Sequence, residues 1–459
     1  MKPSGAQQSF EKRGIFWICG AQDHHLSGTL HFSPKDGVEL RLIGQFGDPL
    51  QQFLATVHGT VENADCTLFG CTQWRVQSSA LILTEYRVDM AIIGSHVTSL
   101  KEAVFSKATS RFDCLDDWAN FRAISVPSEG PNPTRAPSRF EIAQEPTVSA
   151  TVDALGCTIC LLGKPNGTFS HRFIDWEYHA YLDIAFSESR SVEDMCSTVI
   201  ELKHLVSLLT WQRVRLAHLS FALHPRVASA PGASQWCEVF GAADAQNEPY
   251  HASNWPLTEF ADLASYFPNI VKAWFAADKH IRDARGLLTG LINSEGQFVQ
   301  FEFLALVQIV EALHRTKYPG NYTSAEEYEP IRLALDSAIA PTVSKDHRQS
   351  LKSKIKYGNE ISLRTRLKRM CMEIPESLRS LLTADLNSFI SVVVDGRNYL
   401  THRDEELAYR ELKSEELKHA CQRLKLLLTI HFFHALEIPF TVIEKISQDR
   451  DWYTRQITS

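Results

Sequence analysis

The six residues Arg397-Asn398-Tyr399-Leu400-Thr401-His402 bring a set of complementary chemical groups together. Arg397 carries a permanent planar cation whose fork matches pairs of phosphate oxygens. His402 carries an imidazole that changes charge near neutral pH and therefore takes up or releases a proton. Asn398 adds a neutral donor and acceptor beside them. A cation for the phosphate and an imidazole for the proton are enough to cleave a ribose phosphodiester without a metal. The 2′-hydroxyl attacks its own phosphate, one imidazole takes the hydroxyl proton, and another proton reaches the leaving 5′-oxygen. The guanidinium stabilises charge on the equatorial oxygens. Such a reaction leaves a 2′,3′-cyclic phosphate and a 5′-hydroxyl, and DNA, lacking the attacking hydroxyl, is not a substrate.

Spacing alone does not identify a site, because Arg213–His218 has the same separation. That pair lies in WQRVRLAHLSFALH, which alternates like a strand, and an odd separation along a strand sends two side chains to opposite faces. The surroundings of Arg397 are more favourable. The preceding SFISVVV is apolar and should be held in a core, and Gly396 permits a local distortion of the backbone. In an unbroken helix Arg397 and His402 point about 140° apart. A shared pocket then needs either local unwinding or a second copy of the chain, and a two-fold pairing would gather two Arg and two His around one phosphate. An ordinary helix end with Arg and His at the surface has the same spacing.

The elements that carry these residues follow from periodicity. Residues 14–124 hold short β-branched or aromatic runs such as GIFWICG, GTLHFS and GVELRLIG, punctuated by Gly, Pro and Asp. Residues 125–138 contain four Pro and read as a linker or long surface loop. Strand patterns resume at Arg139 and include TVSATVDALGCTICLLG and YHAYLDIAFS. A helix is expected over SVEDMCSTVIELKHLVSLLTWQ, with Ser191 as N-cap and Asp194 in the capping-box position. After Pro256 the period becomes helical, with a break near Pro268, and QFVQFEFLALVQIVEALHRTKY is the most apolar helix. The expected fold class is α+β: a β-rich, sandwich-like domain over 1–255, connecting helices over 256–296, and an all-α bundle over 297–459 completed by the remaining helical segments.

Composition restricts the function classes. The chain has 459 residues, 44% hydrophobic and 22% charged, with a formal net charge of −7. That balance argues against wholesale coating of nucleic acid and leaves room for a local basic patch. No apolar run reaches membrane-spanning length. The start has no apolar signal region, and ten Cys without regular spacing read as reduced thiols. A cytoplasmic location is expected. No Walker-type loop, GxGxxG or GxSxG occurs, so no nucleotide cofactor or serine-hydrolase chemistry is called for.

Residues 297–440 resemble the HEPN superfamily of α-helical ribonucleases, whose hallmark is Arg-x4–6-His with a polar residue after the Arg. RNYLTH fits that pattern, with Asn398 in the polar slot. FLALVQIVEALHR and KYGNEISLRTRLKRM look like the form found in ApeA-like abortive-infection proteins, and the GIFWICG, GTLHFS and GVELRLIG runs are similar to the N-terminal domain of that family. The resemblance implies a metal-independent endoribonuclease without cofactor, with Arg397, Asn398 and His402 as catalytic residues. It also implies a homodimer or higher homo-oligomer acting in bacterial anti-phage defence on RNA, tRNA in particular. A β-rich sensor domain restraining the nuclease until a phage-derived protein triggers it is expected, with no membrane partner. The alternative is a non-catalytic dimerising protein whose β domain binds a phage or carbohydrate ligand, with Trp17, Trp74, Trp118 or Trp176 as a platform. Those Trp read better as core residues.

Several further residues are candidates for support. Residues 345–369 hold nine basic side chains against Asp346 and Glu360. Of these, Lys352, Lys354, Lys356, Arg364, Arg366, Lys368 and Arg369 are expected to grip an RNA backbone; a solvated helix face has the same composition. Glu311, on the apolar helix, would pair with Arg397 or with a cation of 364–369, or else lie on a wet stripe with Gln308 and Arg315. Tyr399 would stack on a base or serve packing. Cys157-x2-Cys160 with Cys66 and Cys71 has the donor set for zinc, but CTICLL reads as strand, which points the two thiols apart, so no metal is expected. His431-x2-His434, at the end of an apolar helix, lacks a nearby carboxylate partner and reads as packing.

Overall fold

The computed structural model describes residues 9–47, 52–78, 81–121, 124–125, 141–142, 147–169, 174–224, 235–241, 256–294, 296–402 and 414–449. Apart from Ser125, the Pro-rich stretch 125–138 lies outside them. The chain divides into two units, Met1–Ala276 and Ala277–Ser459. The segment read as connecting helices is thereby split between them.

In the first unit, β1 (Phe10–Ile18), β2 (Leu26–Ser33), β3 (Gly37–Ile43), β4 (Phe53–Val61), β5 (Ala64–Ser78) and β6 (Ile82–Ile93) pair antiparallel in the order β6-β3-β2-β1-β4-β5. β5 also pairs with β6, with Cys66 opposite Ile93 and Ser78 opposite Ile82. The six strands therefore close into a barrel and leave no free edge among themselves. A sandwich-like packing of two sheets is the expectation that this closure replaces: period-2 alternation specifies an inner face but not whether a sheet stacks on another or curls on itself. The inner face is filled by Phe16, Leu30, Leu40, Val57, Leu68 and Tyr86. Gly70, at φ +64, holds a left-handed backbone conformation in β5 that strains other side chains, which favours glycine there.

The sheet continues past β6 in the order β14-β13-β7-β12-β11-β10. These strands are β7 (Phe105–Phe112), β10 (Thr147–Val152), β11 (Cys157–Phe169), β12 (Ile174–Arg190), β13 (Leu216–Leu223) and β14 (Trp236–Gly241), while β8 (Ile124–Ser125) and β9 (Glu141–Ile142) form a separate pair. Helices α1 (Leu115–Ala119), α2 (Val192–Thr210), α3 (Phe260–Leu263) and α4 (Phe267–Ala276) complete the unit, α2 packing on β7 and α4 on β10. The capping box of α2 is present: Ser191 Oγ accepts from Asp194 N at 3.1 Å and Asp194 Oδ2 accepts from Ser191 N at 3.3 Å. Asp116 ties α1 to the sheet by accepting from Arg111 (2.7 Å), His179 Nδ1 (2.9 Å) and Ala180 N (2.7 Å).

The second unit is helical: α5 (Lys279–Asn293), α6 (Val299–Lys317), α7 (Ala325–Ser337), α8 (Lys345–Lys356), α9 (Leu363–Glu373), α10 (Glu376–Leu382), α11 (Leu386–His402), α12 (Ser414–Ala435) and α13 (Phe440–Asp449). α6 is the central helix and packs against α5, α9, α11 and α12. It buries Phe303, Leu306, Val307, Ile309, Val310 and Leu313, the wide apolar stripe of a core helix. Glu302 on α6 meets Lys425 on α12 at 2.5 Å. Two helices depart from the expectation that all segments complete one bundle: α7 and α8 contain no buried residue. Among the described residues no helix is long and apolar enough to cross a membrane, and all ten cysteines are free thiols.

Candidate active site

α11 holds the Arg-x4-His pair, and local chemistry explains its form. Asp385 Oδ1 accepts from Ser388 N at 3.1 Å, capping the first turn. Val392, Val393 and Val394 are weak helix formers, yet the helix runs through them because Phe389, Ile390, Val393 and Gly396 are buried. The buried side makes α11 a fixed mount against α6, α9 and α12.

The helix continues without unwinding to His402. Gly396 is helical, and its small size serves burial rather than a bend. Arg397 and His402 therefore point about 140° apart, with about 7.5 Å of rise between their backbones. Arg397 is half-buried and its Nη1 donates to Asn398 Oδ1 at 3.3 Å, so the amide restrains the guanidinium. His402 is exposed at the last position of α11. One copy of the chain does not bring the two groups onto one face.

The helical period groups other residues with His402. Ser391, Asp395, Asn398 and His402 stand at i, i+4, i+7 and i+11, a single stripe turned away from Phe389 and Val393. Arg364 on α9 reaches this stripe, Nη1 donating to Ser391 Oγ at 3.1 Å. Ser391 and Asp395 were not singled out from sequence, although the same spacing was there to be read. Tyr399 is half-buried on a neighbouring flank.

The remaining expected cations separate. Arg364, Lys368 and Arg369 are exposed on α9, and Lys352, Lys354 and Lys356 are exposed on α8. Arg366 is a correction: it is 2% exposed and spends its guanidinium inside the unit. Its Nε donates to Ile361 O at 2.9 Å, Nη2 to Gly320 O at 3.4 Å and Nη1 to His314 Nδ1 at 3.2 Å. It has no donor to offer an RNA backbone at the surface. Burial, followed by the Arg366, Arg369 and Arg315 charges, pushes His314 down to about 4, so its ring is neutral and accepts from Arg366. Glu311 is half-buried, beside exposed Gln308 and Arg315, and its charge acts on Arg366.

Other sequence candidates resolve into packing. Cys157 is buried and Cys160 half-buried on β11, three strand positions apart, and burial raises both thiols. His431 is buried, accepts from Lys317 Nζ at 3.2 Å and bonds Met370 O at 3.1 Å; burial holds it down at about 3. The fold supplies the carboxylate neighbour from a distant helix, since Glu373 lies 3.6 Å away. His434 stacks on Phe440. Trp17 and Trp118 are buried, whereas Trp74 is 44% exposed with the Arg87 guanidinium over its ring; the Trp176 side chain lies outside the described residues.

A half-buried guanidinium and an exposed imidazole stand on one packed helix of an α-helical unit, and comparison with known families identifies that unit. The family model described as Apea-like HEPN matches residues 304–440, which makes the helical unit a HEPN domain, the domain of HEPN-type ribonucleases. The model described as ApeA N-terminal domain 1 matches residues 11–274, more than half of the chain. The chain belongs to the ApeA family. Together the two matches support a HEPN-type nuclease of ApeA-like antiviral defence. No curated protein and no solved structure matches the chain.

Proposed function

We propose that this chain is a metal-independent endoribonuclease effector of anti-phage abortive infection, with tRNA as its expected substrate. The observation that carries this reading is the unbroken helix Leu386–His402, anchored on one side and bearing Arg397 and His402 on different faces. Two copies paired about a two-fold axis supply two guanidinium groups and two imidazoles to one phosphate. One His402 takes the proton of the 2′-hydroxyl as the O2′–P bond forms. The other gives a proton to the 5′-oxygen as the P–O5′ bond breaks. The Arg397 pair stabilises the equatorial oxygens, and Asn398 orients Arg397. Arg364, held against Ser391 of α11, and exposed Lys368 and Arg369 on the same helix supply the RNA-facing cations. Glu311 acts at a distance, through the charge of Arg366.

The β-rich unit is assigned the sensing role, because unrestrained cleavage of cellular RNA would kill the host. A phage-derived protein is the expected trigger. End-mapping of cellular RNA after induction tests the reaction, with His402→Ala as control. Discrete 2′,3′-cyclic phosphate ends that persist in EDTA and vanish in the variant are expected. Protection from phage that survives in a stably folded His402→Ala protein would instead favour the non-catalytic interaction protein.

A further inference from the structure

Residues 321–360 leave the helical unit after α6 and return to it just before α9, and the neck of this excursion is tightly closed. Asn321 and Glu360 form an antiparallel bridge. Tyr322 N donates to Asn359 O at 2.8 Å, and Ile361 N to Gly320 O at 2.9 Å. The Asn359 amide brackets Thr323, accepting from its N at 3.1 Å and donating to its O at 2.9 Å. The buried Arg366 bonds Ile361 O and Gly320 O together, so one guanidinium holds both ends of the excursion. Beyond the neck, α7 and α8 pack on each other, with Tyr328 Oη donating to Ile355 O at 2.6 Å. The result is an arm on a stiff mount.

The arm has no core of its own. Neither helix buries a residue, and Ile331, Leu333 and Leu335 stand 50%, 54% and 47% exposed. Helices of this length are marginal alone, and a pair without a core gains little from each other. The charge distribution indicates what covers them. α7 carries four carboxylates and one guanidinium, net −3; α8 carries five cations and one carboxylate, net +4. The two nearly cancel, which is a poor design for attracting RNA, where net positive charge sets affinity. It is a good design for meeting itself. A two-fold axis that lays α7 of one arm along α8 of another pairs opposite charges twice and covers apolar residues on both sides. The alternative registry, α7 on α7, sets acid against acid.

We infer that the α7–α8 arm is a docking surface for the same arm of a second copy of this chain, the two hairpins forming a four-helix assembly. This contact is separate from α11 and does not rest on the nuclease reading. It assigns Lys352 and Lys356 to the partner's acidic helix rather than to RNA.

Charge reversal in the full-length protein tests the arrangement, read by native mass spectrometry and sedimentation. Lys345→Glu/Lys352→Glu/Lys356→Glu turns α8 from +4 to −2, and Glu326→Lys/Glu329→Lys turns α7 from −3 to +1. Each variant alone then opposes like charges at both contacts, and arm pairing should weaken by roughly a hundredfold or more. Mixed together, the two variants meet opposite charges at both contacts, and a mixed pair should form that neither makes alone. A mixture no heavier than its components overturns the inference. So does unchanged association of the α8 variant with lost affinity for an RNA probe, which would make the arm an RNA grip. Circular dichroism checks folding. Independently of the charge variants, Leu333→Ser, on the helical stripe of Glu326 and Glu329, should weaken association by about tenfold with helicity intact; unaltered association in that variant also overturns the inference. Because mass is the readout and cleavage is not, failure of the arm contact and failure of the nuclease reading are distinguishable.

Discussion

α11 and α7 belong to one unit and differ in what lies beneath them, and α7 also carries Pro330 in its interior, where a backbone donor is missing. α11 buries Phe389, Ile390 and Val393 and carries half-buried Arg397 on its flank; α7 buries nothing and leaves its large apolar residues half in water. The first arrangement fixes a side chain in space, as catalysis requires, because pre-set geometry lowers the cost of reaching the transition state. The second leaves apolar surface to be covered by another molecule. Burial, more than helical form, separates the two helices.

The sharpest way to test the α11 side is to remove its chemistry. Arg397→Ala or His402→Ala should lower RNA cleavage by at least about a thousandfold, roughly 4 kcal/mol of barrier, with the melting temperature unchanged. Cleavage of end-labelled RNA measures it, and a tenfold loss or less would sink the assignment. Next comes the mount itself. Phe389→Ala should cost about 3–5 kcal/mol in denaturant unfolding, since the cavity lies in a packed core.

Acid gives the third effect. Burial lowers His314 to about 4 and His431 to about 3, from 6.5 in the unfolded chain. The unfolded state then binds more protons between those values and 6.5, so stability is complete above pH 6.5 and declines as pH falls below it. At pH 5 the loss should be on the order of 2 kcal/mol for each histidine. A melting temperature of the helical unit flat from pH 7 to 5 would contradict this. Arg366→Met should cost about 2 kcal/mol, because Ile361 O and Gly320 O lose a buried donor, and should raise amide exchange at Tyr322 and Ile361. The smallest effect is on the arm: Leu333→Ala in dilute protein should change stability by under about 0.5 kcal/mol. A cost equal to that of Phe389→Ala would erase the contrast between the two helices.

Much of the fold was readable in advance, for particular reasons. The capping box at Ser191 and Asp194 is local chemistry, and α2 begins where it dictates. α11 keeps its period through RNYLTH, so the angle between Arg397 and His402 followed from the sequence once the helix was accepted. Arg366 was misjudged because it stands among exposed cations of the same type, and only the carbonyls of Gly320 and Ile361, brought together by the neck of the arm, give it a buried position. His431 gained Glu373 in the same way, from a residue far off in the chain.

Residue order alone determined which segments are strands and which are helices, where α2 is capped, and which six residues carry the guanidinium and the imidazole. Those features depend on neighbours within one turn or one pleat, so short-range periodicity expresses them. The tertiary structure decided that β5 returns to β6 and closes the barrel, that Arg366 goes inside while Arg364 stays out, and that α7 and α8 stand clear of the core. Each of these depends on contacts between residues far apart in sequence, and burial against a distant partner has no signature in the local pattern.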